Sequence, residues 1–213
     1  MSNRLLVAMA TLALAVPALA GGNTFHVNDE VGRNSVTFTS EAPLEDIVGT
    51  TNQITGWLTF DPLNAQDGGA GELVVPIATL DTGIPLRDEH LRSAAWLDAE
   101  AYPEATLVIE RVTDVEKVKS GDGFHTFDVI AEGTFALRGQ KRQVKIPARV
   151  TYLEESERTK ALMPGDLLAV RATFDVTLAD HGVSGPEGRD IIGSKVGETV
   201  AVEVSCRGAN AAR

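Results

Sequence analysis

Cysteine is almost missing from this chain. Cys206 is the only one, so no intrachain disulfide can form and no pair of thiolates can hold zinc. Histidine is scarce as well: His26, His90, His125 and His181 are widely scattered, and none stands four residues from another, the spacing that sets two imidazoles on one helical face. No G-x-S-x-G elbow occurs, and Cys206 falls on the apolar parity of a strand, where a thiol is buried and inert. Nucleophilic catalysis and metal binding therefore have no motif behind them. Basic residues are few, 19 Lys and Arg against 30 Asp and Glu, and the formal net charge of −11 repels nucleic acid and anionic membrane surfaces. The glycine patches, Gly68-Gly69 and Gly121 to Gly123, lack the strand-then-helix context of a phosphate cradle and read as turns.

Long apolar runs are also rare, and the single one is at the start. Arg4 followed by LLVAMATLALAVPALA has the charged beginning and apolar stretch of a secretory signal, and it is shorter than the roughly 20 residues of a membrane span. Ala18-Leu19-Ala20 supplies the small residues of a cleavage site, so residues 1–20 are expected to be a signal peptide and residues 21–213 a single domain. No cysteine near Gly21 offers a lipid attachment point, and losing Arg4 makes the remainder more acidic still. The expected product is soluble, without a stable membrane anchor, and periplasmic or secreted; a homodimer is compatible with it.

What the chain has in quantity is period-two alternation. Thr24 to Asn28 and Ser35 to Ser40 read as strands, and DIVGTTNQITGWLTFDP continues the pattern with Ile54, Gly56, Leu58 and Phe60 on one face. Asp61 to Gly71 is a loop by its Gly, Asn, Asp and Pro content, and it leads into GELVVPIATL, where Pro76 suggests an edge or a bulge. Thr106 to Val118 and Phe124 to Arg138 flank Ser120-Gly121-Asp122-Gly123 and form a hairpin. QVKIPARVTY pairs next, with Val144, Ile146, Ala148, Val150 and Tyr152 on its apolar face. A charged connection from Glu154 to Lys160 and a Pro164-Gly165 turn precede LLAVRATFDVTL, whose apolar face is Leu168, Val170, Ala172, Phe174, Val176 and Leu178. Asp180 to Lys195 is a loop, Val200 to Cys206 a last strand, and GANAAR a loose tail.

One stretch, Thr79 to Pro103, breaks the alternation. Gly83 and Pro85 end the preceding strand, and Arg87 to Asp98 reads as one short helix closed by Tyr102-Pro103. Asp88 and His90 are two residues apart and diverge on a helix, whereas Asp88 and Arg92, four apart, can pair. RDEHLR is then a charged face that satisfies loop backbone groups and seals one end of the sheet, with ligand contact as the competing reading.

The tally is all-β: about eight strands joined mostly by turns, with one short inserted helix, which fits a closed antiparallel barrel or a sandwich equally well. The inward parity sets small residues, Ala131, Gly133, Ala148 and Ala172, among Phe38, Leu58, Leu107, Ile109, Phe135, Ile146 and Phe174. Small beside large is either the taper of a packed interior or the opening of one that holds a small ligand.

LDTG, RDEHLRS and WLDAEAYP resemble the signature of the YceI-like, polyisoprenoid-binding family of lipocalin-like proteins. SVTF near the start and GTFALRGQKRQVKIP are similar to further family segments. Many relatives place histidines on either side of the SVTF-like strand, where this chain has Arg33-Asn34 and Ala42. The resemblance implies an extended antiparallel lipocalin-like barrel and a long isoprenoid or related lipid inside it. On that basis the ligand-contacting residues are expected to be Phe38, Leu58, Leu107, Ile109, Gly133, Phe135, Ile146, Ala148, Ala172 and Phe174. The resemblance implies a hydrophobic long-chain ligand, an isoprenoid, quinone or fatty-acid derivative, and no cofactor, metal or catalysis is expected. The competing classes are a structural or stress-protective barrel with a packed core and, without a motif, a hydrolase using His90 or His181.

Overall fold

Ten strands fold antiparallel in the computed structural model, which describes residues 22–211; the expected signal peptide lies outside them. They are β1 (Asn23–Asn28), β2 (Ser35–Glu41), β3 (Asp46–Thr51), β4 (Thr55–Phe60), β5 (Gly69–Pro76), β6 (Glu104–Gly121), β7 (Phe124–Leu137), β8 (Gln140–Leu153), β9 (Leu167–Thr177) and β10 (Thr199–Ala209). The difference from eight has a simple cause. Along one edge of β10, β2 pairs through Val36↔Val204 and Val200↔Ser40 while β1 pairs at His26↔Ala209, so β1 and β2 share one strand position. Their partners β4 and β3 share the next. Two broken strands and six whole ones close an eight-position antiparallel barrel. The breaks are held by side chains: Asp29 grips Arg33 at 2.8 Å, and buried Asn34 accepts the Arg207 N–H through its Oδ1.

The two broken positions let the sheet part at one end. β4 continues the barrel by pairing with β5, but among the described residues β3 has on its outer side just the Thr50–Asp81 exchange of backbone hydrogen bonds. The gap between β3 and β5 is where the non-alternating stretch inserts. Its helix, α1 (Pro85–Arg92), begins two residues earlier than the alternation suggested, because proline at the first helical position has no N–H to leave unpaired. It also stops six residues sooner. Ser93 returns both its N–H and its Oγ to the His90 carbonyl, and irregular turns follow to Tyr102, with Asp98 at φ 50.

Other differences are local. Pro76 is the last residue of β5, opposite Glu104 on β6; it lies past Val74, where the β4 pairing ends, so it sits at a local edge as expected and not at a bulge. The bulges are in β6, where register slips between Ile109 and Arg111 and twice more toward the hairpin. The charged connection after β8 contains a second short helix, α2 (Glu157–Lys160), started by a Ser156–Thr159 capping box. The tail is less loose than its composition implied: Gly208 and Ala209 extend β10, and Asn210 bonds Asp166.

Alternation then fills the barrel in two different ways. At the end where β1 and β4 close the sheet, Phe25, Val27, Phe60, Phe127, Leu168 and Cys206 pack as one core, with the Phe60 and Phe127 rings edge to face at 5.3 Å. Toward the parted end, Ile77, Leu80, Leu97, Val176, Leu178 and Val183 form a second cluster that lines walls instead of filling the middle.

Candidate functional site

The parted end encloses a cavity of about 580 Å³. Strand alternation supplies its wall, because residues two apart share a face: Val36 and Phe38 from β2, Phe174 and Val176 from β9, Val200, Val202 and Val204 from β10. The inserted stretch adds Leu91, Trp96 and Leu97, and the loop before β10 adds Val183, Ile191 and Val196. Most of the lining side chains are aliphatic or aromatic. Four charged side chains, Glu45, Arg87, Arg189 and Lys195, and His90 border the cavity and also reach solvent, so they mark its mouth. Ile84 and Leu86 of the same rim are 48% and 61% exposed, so the mouth is apolar on the α1 side.

The helix at the mouth is tied down by its own charges. Asp88 is 6% exposed, and its Oδ1 accepts both the Thr82 N–H, at 2.8 Å, and the Thr82 hydroxyl, at 2.6 Å. The Thr82 hydroxyl accepts from Arg87 Nε, and Arg87 also donates to the Thr82 carbonyl and pairs with Glu45 at 2.7 Å. These bonds hold the Asp88 carboxyl below the usual carboxylate range, the Thr82 hydroxyl contributing most. RDEHLR satisfies loop backbone groups as its charge pattern suggested, but it does not seal that end: it borders an open mouth and sets Arg87, His90 and Leu91 on the cavity. The Asp88 carboxyl is held chiefly by Thr82, with Arg92 acting on it through its charge.

Below this cavity is a void of about 60 Å³ inside the packed half. The expected interior residues divide between the two. Phe38 and Phe135 line the large cavity; Leu107 and Phe174 border both; Leu58, Ile109, Ala148 and Ala172 line the small void. Gly133 and Ile146 line neither. A Cβ on Gly133 would sit 1.9 Å from the Val108 carbonyl oxygen, so its missing side chain makes room for the neighbouring strand, next to the β6 bulge. Ile146 is buried opposite Ala131. Strand parity had no means of finding Trp96, Leu97, Val183, Ile191 and Val196, which come from irregular segments; the available signal was apolar residues recurring in stretches otherwise rich in Gly, Asp and Lys.

Cys206 and His181 are buried away from the cavity. Burial pushes the Cys206 thiol up to about 12, and burial lowers the His181 pKa, keeping that ring neutral against the Phe135 edge. Among the described residues no group of three or more His, Cys, Asp or Glu could hold a metal ion, and no helix is long and apolar enough to cross a membrane.

Comparison with known proteins places this geometry. The family model described as YceI-like domain matches residues 29–207. A UPF0312 protein of Shewanella sp. (strain ANA-3) is 29% identical over 151 residues, 70% of this chain and 73% of its own; one of Vibrio parahaemolyticus serotype O3:K6 is 29% identical over 149 residues, 70% and 74%. Among solved structures, Burkholderia cenocepacia BcnA superposes with a TM-score of 0.62 at 18% identity, covering 84% of this chain and 99% of that one. A polyisoprenoid binding domain from Saccharophagus degradans superposes with a TM-score of 0.58 at 14% identity, covering 89% and 99%. At these identities the structural likeness establishes the fold.

Proposed function

The chain belongs to the YceI-like domain family, and from that premise we propose that it is a lipid-binding protein whose cavity holds the tail of a long-chain amphiphile, for carriage or sequestration. The observation that carries this reading is the cavity of about 580 Å³ walled by aliphatic and aromatic side chains and rimmed by charged ones. A carbon chain entering it trades water for hydrocarbon at about 0.8 kcal/mol per methylene, enough for tight binding without a single directed bond. The polar head stays at the mouth, beside Arg87, His90, Arg189 and Lys195. An isoprenoid, a quinone or a fatty-acid derivative has the required shape. The solved Saccharophagus degradans relative, described as a polyisoprenoid binding domain, supports the first of these. The reading is binding and not catalysis: the Ser93 hydroxyl beside His90 donates to the His90 backbone carbonyl, and His181 is buried off the cavity. The leader expected over residues 1–20 supports work in the periplasm or outside the cell.

The packed half of the barrel is what a purely structural or stress-protective role would use, and it shares the molecule with the cavity. Mass spectrometry of organic extracts from protein purified without detergent separates the two roles. The lipid-binding reading predicts about one amphiphile per chain. Protein that is empty as purified and takes up none when offered farnesol or palmitate supports the structural role.

A further inference from the structure

Resting on the reading of the barrel as a tail-binding tube, we infer that four side chains, Leu73, Leu107, Phe174 and Val204, form a septum that fixes the length of tail the protein accepts. These are the side chains that border both the large cavity and the small void. Leu73 and Leu107 are register partners on β5 and β6, while Phe174 and Val204 come from the paired strands β9 and β10. In the barrel order those two pairs of strands stand on opposite walls, so the side chains approach the lumen from both sides. Phe174 is steadied by Phe135, edge to face at 5.5 Å.

Above the septum the cavity of about 580 Å³ accepts a limited tail: at roughly 30 Å³ per atom of water's size, it takes roughly twenty carbons. Below it, Ala131, Ala148 and Ala172 leave room for roughly two more, again at about 30 Å³ each, before Phe60, Val150 and Leu168 close the void. A tail of three or four prenyl units, or a fatty chain of comparable carbon number, therefore ends at the septum. In a longer isoprenoid the excess stays outside the mouth in water. The alanines beneath the septum offer a longer tail little unless a septum side chain is removed. Phe174→Ala takes away six ring carbons and joins the two spaces, admitting about one more prenyl unit.

The test is a binding series of prenyl alcohols, geraniol, farnesol, geranylgeraniol and the long-chain solanesol, measured by calorimetry on delipidated protein. Up to geranylgeraniol each added unit should tighten binding about tenfold or more; solanesol should gain less than about threefold over it. In Phe174→Ala the limit should move up by one unit, measured with geranylfarnesol, and adding Ala172→Leu, which refills the space below, should return it. If Phe174→Ala does not fold, Val204→Ala makes the same comparison. Affinity that keeps climbing with length in the parent overturns the septum while leaving lipid binding intact. Absence of binding at every length overturns lipid binding itself, and the septum with it.

Discussion

Val202→Trp and Ala148→Trp put the same indole into the two halves of one barrel and should have opposite consequences. Val202 lies mid-strand on β10, registered against Phe38 and Phe174, with its side chain on the large cavity. Tryptophan adds seven heavy atoms there, which at roughly 30 Å³ each take about 200 Å³ of the available 580 Å³. The indole enters open space, so the fold is expected to lose less than about 1 kcal/mol and its melting temperature to fall by under about 4 °C. A bound tail is displaced by about seven carbons. At about 0.8 kcal/mol each that forfeits about 5 kcal/mol, or 10³-fold or more in affinity for geranylgeraniol. Ala148 faces the void of about 60 Å³ between Val129 and Ala172. That space takes two of the nine added atoms, so overpacking should cost about 1–3 kcal/mol or more and lower the melting temperature by roughly 3–12 °C. Differential scanning calorimetry on delipidated proteins and calorimetric titration with geranylgeraniol read both effects. Equal destabilisation by the two substitutions would refute the division into a hollow and a packed half.

Three further outcomes are expected. Because the buried Cys206 thiol titrates at about 12, it should resist a thiol-specific disulfide reagent at pH 8 in the native protein and react stoichiometrically once the chain is denatured. Asp29, held down to about 2 mainly by its hydrogen bonds to Arg33, should contribute about 2 kcal/mol of stability above pH 4 and lose it as pH falls through 2; the stability gap between Asp29→Asn and the parent, followed by urea unfolding, should close over that window. Asp88→Ala leaves the Thr82 N–H and hydroxyl without their acceptor, so it should cost about 1–3 kcal/mol and raise amide exchange in the 82–92 stretch selectively, with exchange in β7 and β8 following only the global loss.

The barrel was legible because its strands are half-buried, and half-burial writes itself as alternation. Phe127, Val129 and Ala131 face inward as their parity requires, and Asp122-Gly123 turns where glycine permits a positive φ. Strand count was less legible, since β1 with β2 and β3 with β4 are continuous positions broken by short side-chain-held turns that leave the period intact on either side. The cavity was the least legible part. Ala148, Ala172 and Gly133 share the inward parity of Phe38 and Phe135, but parity names a face and not a depth. The alanines lie below the septum, the glycine makes way for a carbonyl, and the open space comes from the parting of β3 from β5. That parting is a tertiary event, with Trp96, Val183 and Ile191 reaching the cavity from segments that have no period to read.

The claim that a tail enters the parted half can be tested at one side chain. The chain has two tryptophans, and of these Trp96 lines the cavity while Trp57 lies on β4 outside it. In a delipidated Trp57→Phe protein, titration with a fatty acid brominated near the middle of its chain brings a contact quencher to the lone indole if the tail occupies the cavity. Quenching of Trp96 that saturates at one equivalent, and is reversed by excess farnesol, is the expected result. Unquenched Trp96 fluorescence at saturating concentrations, in protein that calorimetry shows to be folded, would contradict the account.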